Sequence, residues 1–80
     1  MWFPQPAEHG GMATDICKRF GRKVRSLRLA RGWRQIDLAE HADLSPTHIS
    51  GLETGKREPG LRAIERLARA LDVHPADLLR

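Results

Sequence analysis

Apolar residues recur every three to four positions in successive stretches of the chain, which is the pattern of helices that bury one face. The first stripe consists of Ile16, Phe20, Val24 and Leu27. It predicts a helix from about Asp15 to Arg31. Thr14 or Asp15 is expected to cap this helix, and Gly32 to end it in the left-handed conformation that glycine tolerates. Gly21 weakens such a helix by roughly 1 kcal/mol relative to alanine, so a start near Gly21 is the alternative.

Residues 35–53 predict two short helices joined by a tight turn at residues 43–44. The apolar stripe of the first consists of Ile36, Leu38, Ala39 and Ala42. Ser45 is a strong N-cap for the second helix, and Pro46 follows at the first helical position, where its missing N–H costs nothing. The buried face of the second helix is marked by Ile49 and Leu52. Its other side is small and polar, and a helix presented in this way can enter a DNA major groove.

The last third of the chain predicts two further helices. One spans about residues 61–71, and Pro75 opens a final short one. The stripe of the longer helix consists of Leu61, Ile64, Leu67, Ala68 and Leu71. His74 is a mediocre cap for the short helix, Leu78 is expected to close the core, and Leu79 has little left to cover it. Five helices in eighty residues make one small all-α domain.

The N-terminal segment is different in composition. Residues 1–13 contain two prolines, a Gly-Gly pair and no helical period, so we expect a flexible tail there and a folded domain over residues 14–80. Trp2 and Phe3 lie in this tail. Three alternatives are open for these two residues: they fold back on the domain, they contact a partner, or they have no role.

Basic residues concentrate in one segment. The chain has a formal net charge of +4, which favours a polyanionic partner. Residues 16–34 hold no acid and eight bases, namely Lys18, Arg19, Arg22, Lys23, Arg25, Arg28, Arg31 and Arg34. Residues 35–54 hold four acids and no Lys or Arg. The bases of the first helix either cover a solvated face or reach phosphates that flank a groove.

Several functional classes are not expected. The single cysteine, Cys17, cannot form an internal disulfide, which fits a reducing cytoplasm. No apolar run approaches the ~20 residues that a membrane span needs, and the N-terminus lacks the features of a signal peptide. The four histidines, His9, His41, His48 and His74, do not cluster with Cys or acids at metal-ligand spacing. No catalytic triad, glycine-rich phosphate loop, cofactor site or small-molecule site is evident, so we expect no enzyme.

From about Val24 to Leu79 the chain resembles the lambda-repressor-like helix-turn-helix family, the class of phage repressors and Cro. The matching stretches are LRLARGWRQIDLAE, LSPTHISGLETGKREP and LRAIERLARALDVHPADLL. Their most specific parts are Gln-x-x-Leu-Ala at residues 35–39 and Ile-Ser-x-Leu-Glu-x-Gly-Lys at residues 49–56. The resemblance implies a compact five-helix DNA-binding domain with a central helix-turn-helix.

The resemblance also implies which residues touch DNA. Base-facing positions are held by Ser45, Pro46, Thr47, Ser50 and Gly51, and phosphate-facing positions by Arg34, Gln35, His48, Lys56 and Arg57. The base-facing set contains no Arg, Asn or Gln, the side chains with the best bidentate geometry for guanine and adenine. Three alternatives follow. The helix packs unusually close to the DNA, specificity comes from DNA shape, or binding is weak or directed to another partner.

Two positions depart from the family pattern. Arg34 stands where a Ser or Thr cap is usual, which gives up about 1 kcal/mol of capping, and either a DNA phosphate or solvent surrounds it. Asp43 stands where Gly is frequent in the turn, and it tolerates the left-handed conformation less well than glycine. At Gln35, which keeps the pattern, the family glutamine touches phosphate and braces the recognition helix, and its amide suits donating to phosphate and accepting from a side chain.

Charged and aromatic residues also fall beside the predicted core. Arg28 and Glu53 lie on the apolar faces of their helices, and the resemblance implies a buried ion pair that ties the first helix to the recognition helix. Trp33 is expected to plug the core between two helices, with stacking on DNA bases as the alternative.

These expectations combine into one functional hypothesis. The chain is predicted to be a sequence-specific transcriptional regulator, of repressor or controller type, that binds double-stranded DNA. The resemblance implies a homodimer on a pseudo-palindrome with half-sites ~34 Å apart. The alternative is a protein-interaction module, such as an antitoxin or adaptor, on the same fold. The base-facing set without Arg, Asn or Gln and the apolar pair Trp2 and Phe3 support that alternative.

Overall fold

The structure, a computed structural model, describes residues 6–80, with side chains described from Ile16 onward. The described residues form five helices and no strand: α1 at Pro6–Ala30, α2 at Gln35–Ala42, α3 at Pro46–Glu53, α4 at Leu61–Ala70 and α5 at Pro75–Leu78. The predicted all-α class with five helices is therefore confirmed. Within this part of the chain, no helix combines the length and the apolar character that crossing a membrane requires.

The first helix begins earlier than its predicted start at Asp15. It starts at Pro6, a residue whose fixed φ and missing N–H suit the first helical position, so the predicted cap at Thr14 or Asp15 is wrong. The predicted end is confirmed, because Gly32 has a φ of 71° just beyond Ala30. The division into a flexible tail and a domain stays a prediction. Trp2 and Phe3 lie outside the described residues.

The core lies where α1, α2, α3 and α4 meet and is closed by α5. Its buried apolar residues are Phe20, Val24, Leu38, Ala39, Ala42, Ile49, Leu52, Ala63, Leu67, Ala68, Leu71 and Leu78. Three predicted core residues are instead exposed: Ile16 at 45%, Ile36 at 45% and Leu61 at 86%. Because a helix turns by about 100° per residue, each of these side chains falls near the edge of its helix's buried face.

The turn between α2 and α3 is fixed by local hydrogen bonds. Asp43 adopts the left-handed conformation with a φ of 56°, in the place where the family often has glycine. The Leu44 N–H donates to the Ala39 carbonyl at 2.9 Å. The predicted cap of α3 is confirmed, because the His48 N–H donates to the Ser45 hydroxyl oxygen at 3.0 Å. The turn therefore sets the direction in which α3 leaves α2.

Trp33 occupies the junction between α1 and α2. It packs against the core cluster, as predicted, although its ring stays half-buried. His41 stacks on it with ring centroids 4.2 Å apart and planes 5° apart, and the Arg31 guanidinium lies 5.1 Å from the ring centroid. These contacts hold the end of α1 against α2.

Candidate nucleic-acid interface

The residues that α3 and its cap present outward are small or polar, apart from Pro46. Ser45, Pro46 and Thr47 are exposed, while Ser50 and Gly51 are half-buried. The opposite side of α3 packs inward through Ile49, Leu52 and Glu53. The five residues predicted to face bases therefore share the solvent side of the helix, with Ser45 also serving as its cap.

A bidentate ion pair joins α1 to the inner side of α3. Arg28 Nε donates to Glu53 Oε2 at 2.7 Å, and Arg28 Nη2 donates to Oε1 at 2.9 Å. Both residues are only 6% exposed. Arg28 Nη1 also donates to the Trp33 carbonyl at 2.7 Å. Hydrogen bonding to Glu53 raises the pKa of Arg28 despite its burial. The pair thus fixes one end of α3 relative to α1.

Gln35 connects α2 to the ion pair of Arg28 and Glu53. Its Nε2 donates to Glu53 Oε1 at 3.1 Å, so Glu53 receives hydrogen bonds from both α1 and α2. The expectation that the amide accepts from a side chain is wrong, because its partner is a carboxylate, which only accepts. The name Glu53 cluster is used below for Arg28, Gln35 and Glu53. It braces the buried side of α3 directly behind the exposed side.

Arg34, the N-cap of α2, has a partner in the first turn of that helix. Its backbone N–H donates to Asp37 Oδ2 at 2.8 Å, and its Nη2 donates to Oδ1 at 3.1 Å. The hydrogen bonds from Arg34 lower the pKa of Asp37, and the same contacts raise the pKa of Arg34. Asp37 therefore supplies a cap contact and a counter-charge at Arg34, where the predicted alternatives were a DNA phosphate or solvent. The Arg34 side chain remains 79% exposed.

The turn after α3 folds back onto the end of the helix. The Gly51 carbonyl accepts from the N–H groups of Lys56 and Arg57 at 3.0 and 3.1 Å. The Thr54 hydroxyl donates to the Ser50 carbonyl at 2.9 Å. Lys56 and Arg57 are both exposed. Two cations are thereby held at the C-terminal end of the exposed side of α3.

The stem of Arg57 covers Gly51. A Cβ atom on Gly51 would lie 2.6 Å from Arg57 Cδ and 2.7 Å from Cγ. The space outside Gly51 is therefore occupied by an aliphatic chain that originates in the turn. From the sequence, Gly51 was predicted to face DNA bases and Arg57 to face a phosphate, with no contact between the two residues. Glycine lowers the stability of a helix relative to alanine. Its presence inside a helix as short as α3 was therefore the sequence signal that another group packs closely against this position.

Gly21 marks a second close approach. A Cβ atom there would lie 2.3 Å from the Leu52 carbonyl oxygen and 2.5 Å from that of Glu53. From the sequence, Gly21 was predicted either to weaken the first helix or to mark its start. The predicted start near Gly21 is wrong, because α1 continues through this residue. Its missing side chain lets the backbone of α1 touch the end of α3.

Two exposed bases of α1, Lys18 and Arg19, lie near different parts of the chain. Lys18 borders the turn after α3, since its Cγ is 2.8 Å from the position that a Cβ of Gly55 would occupy. Arg19 lies toward the C-terminus, where its Nη2 is 3.5 Å from the Leu79 carbonyl. Both side chains are exposed.

The described residues include no group of three His, Cys, Asp or Glu side chains that could hold a metal ion.

Comparisons with known proteins agree with this arrangement. A family model described as helix-turn-helix matches residues 24–78. Control protein C.BamHI of Bacillus amyloliquefaciens is 44% identical over 69 residues, 85% of this chain and 85% of that protein. Control protein C.MunI of Mycoplasma sp is 33% identical over 66 residues, 81% of this chain and 89% of that protein. The crystal structure of the restriction-modification controller protein C.AhdI from Aeromonas hydrophila matches with a TM-score of 0.75 and 39% identity, covering 78% of this chain and 94% of that chain.

Proposed function

Since the chain belongs to the helix-turn-helix family, we propose that it is a sequence-specific transcriptional regulator that binds double-stranded DNA with α3 in the major groove. The main support for this proposal is that α3 has an exposed polar side and that the buried Glu53 cluster lies behind it. A rigid brace of this kind supports a reading helix, because base contacts require a fixed orientation. The relatives named as control proteins favour a regulator of the controller type.

The proposed mechanism is occupancy of a promoter, which blocks or recruits RNA polymerase. Lys56 follows α3 on an exposed turn and is proposed to hold the phosphate backbone, which positions the protein without reading sequence. Gln35 and His48 are proposed to touch phosphates that flank the groove. Arg34 is a weaker candidate, because Asp37 already pairs with it. The free cysteine Cys17 fits a reducing compartment, and the cytoplasm is the proposed location.

A salt titration with a matched charge control tests DNA binding. The logarithm of the binding constant falls by about 0.9 per logarithmic unit of salt for each phosphate contact. We expect Lys56→Ala to reduce this slope by roughly 0.9, whereas Lys23→Ala, which removes an exposed cation from α1, leaves it nearly unchanged. The readout is fluorescence anisotropy with duplexes selected by the wild-type protein. Equal slopes in all three proteins would contradict the proposed docking. Failure of the wild type to select any duplex would favour the protein-interaction module.

An apolar groove near the C-terminus is proposed as the surface for a homodimer. Its lining residues, of which Glu58 alone is charged, are Ile16, Cys17, Phe20, Glu58, Pro59, Ile64 and Leu79. Leu79 is 43% exposed. A two-fold contact uses the same patch on both subunits, so one apolar groove is sufficient. If such a dimer docks as other helix-turn-helix dimers do, its two copies of α3 would contact half-sites ~34 Å apart.

The dimer proposal has its own test. Leu79→Glu places a second carboxylate beside Glu58 in the groove, and we expect it to convert a dimer into a monomer because burying a charged group at a subunit contact is costly. Leu29→Glu is the matched control, since Leu29 is 51% exposed and lies beside Arg22 and Arg25 on another side of α1. Sedimentation velocity measures the mass. A Leu79→Glu protein that remains as dimeric as the control would contradict the proposed surface.

A further inference from the structure

Three exposed cations recur at helical spacing along α1. Lys18, Arg22 and Arg25 follow one another at intervals of four and three residues, so they lie on one side of the helix. All three are exposed, and among residues 16–80 no carboxylate forms an ion pair with any of them. The name basic row is used below for these three residues. Like charges at this spacing repel each other, so this side of α1 favours an anionic partner.

The position of Gly21 relates the basic row to α3. Gly21 is the point at which α1 touches the end of α3, since a Cβ atom there would lie 2.5 Å from the Glu53 carbonyl oxygen. Counting about 100° per residue, the buried side chains of Phe20 and Val24 lie about 60–100° from Gly21 in one direction around α1. The basic row lies about 40–100° from Gly21 in the opposite direction. It therefore points away from the core, as the exposed side of α3 does.

Lys18 connects the basic row to the turn after α3. Its Cγ lies 2.8 Å and its Cα 3.1 Å from the position that a Cβ of Gly55 would occupy. Gly55 has a φ of 75°, a conformation that suits glycine, and the backbone of the turn lies directly against this part of α1. The next residue, Lys56, is exposed and is proposed above to hold a phosphate. The basic row thus continues the cationic surface of the turn.

Building on the proposed function, we propose that the basic row of α1 is a second DNA contact, which binds backbone phosphates in addition to those held by the turn after α3. Cations three and four residues apart on a helix have Cβ atoms about 5–6 Å apart, and one DNA strand carries a phosphate about every 3.4 Å of helix axis. The row can therefore meet several phosphates. Such contacts raise affinity without reading sequence. An acidic protein surface is the other class of partner that the row fits, and its continuity with Lys56 favours DNA.

Charge-removing variants of the basic row test this contact. Lys18→Gln removes the charge but keeps an aliphatic stem beside Gly55, and Arg25→Gln removes a second charge of the row. We expect the salt slope of binding to fall by about 0.9 in each single variant and by about 1.8 in the double variant. Selection from a random duplex library should return the same preferred bases as for the wild type, since phosphate contacts do not read sequence.

Lys23 provides two matched controls on the same helix. It is exposed but lies about 160° from Gly21 around α1, outside the basic row. Lys23→Gln makes the same chemical change as Lys18→Gln and should keep the slope of the wild type. Lys23→Glu changes the net charge by two units, as the double variant does, and so separates a local contact from the effect of total charge. Fluorescence anisotropy with duplexes selected by the wild type gives the slopes, and thermal unfolding checks the fold of each variant.

The outcomes distinguish this proposal from the proposed function. If the double variant keeps the slope of the wild type while Lys56→Ala lowers it, the basic row does not bind DNA, and DNA binding through α3 stands. A slope that falls as far in Lys23→Glu as in the double variant would also overturn the proposal, because total charge would then explain the effect. A change in the preferred bases would contradict a contact made to phosphates alone. A wild-type protein that selects no duplex overturns the proposed function, and this inference with it.

Discussion

Replacing Arg28 with methionine is expected to lower the free energy of unfolding by about 3–5 kcal/mol, because Glu53 then stays buried without its cationic partner. Glu53 is 6% exposed, and the single hydrogen bond from Gln35 at 3.1 Å cannot replace the two from Arg28. Glu53→Leu should cost a similar amount, since it leaves the Arg28 guanidinium buried with only the Trp33 carbonyl.

The double variant separates the ion pair from the general cost of substitution. Arg28→Met with Glu53→Leu leaves no buried charge at this site, so it should lose less stability than either single variant. Urea unfolding followed by circular dichroism measures all three proteins. Lys23→Met is the control on the same helix, because it removes an exposed cation and should change stability by less than about 0.5 kcal/mol. Small, equal losses in both single variants would contradict a buried, coupled pair.

The double variant also tests the role of the pair in DNA binding. In our proposal the pair fixes the angle at which α3 is presented, through two hydrogen bonds of 2.7 and 2.9 Å. A folded double variant should therefore bind selected duplexes more weakly than the wild type, although neither substituted side chain faces solvent. Unchanged affinity would limit the pair to a contribution to stability.

The second large effect is expected from Gly21→Ala. The new Cβ would lie 2.3 Å from the Leu52 carbonyl oxygen and 2.5 Å from that of Glu53. These are backbone atoms at the end of α3, so relief requires α1 and α3 to separate. Overpacking of this kind typically costs about 1–3 kcal/mol, and we expect about 3 kcal/mol here because the new Cβ meets backbone carbonyls, which cannot rotate away as a side chain can.

Gly51→Ala is the matched control for Gly21→Ala. It makes the same chemical change inside a helix, but its Cβ would meet only the flexible stem of Arg57. Relief of the glycine penalty should then leave the protein as stable as the wild type or more stable by up to about 1 kcal/mol. Thermal unfolding of the two variants gives the comparison. If Gly21→Ala is as stable as Gly51→Ala, the close approach of α1 to α3 is not as tight as described.

The helix-turn-helix could be predicted because its signals are local. Ser45 and Pro46 define the start of α3 through cap chemistry that depends on neighbouring residues alone. The inward side of α3 follows from the spacing of Ile49 and Leu52. The contact between Arg28 and Glu53, in contrast, was expected from the family resemblance together with the position of both charges on apolar faces.

Other features depend on how the helices approach one another, and periodicity does not contain that information. Ile16, Ile36 and Leu61 fit helical stripes, yet they lie at the edges of the buried faces and are exposed. Arg34, the N-cap of α2, pairs with Asp37 in the first turn of that helix, which the family pattern at the cap position did not suggest. The stem of Arg57 reaches α3 only because the turn after the helix folds back.

The most direct test of the central claim is a titration of the isotopically labelled protein with a selected duplex, followed by backbone amide chemical shifts. If α3 enters the major groove, the largest changes fall on Thr47 and Ser50, with further changes at Lys56 and Arg57 in the turn that follows. Changes confined to α4 and α5, with the amides of Thr47 and Ser50 unaffected, would contradict the claim that the exposed side of α3 reads DNA.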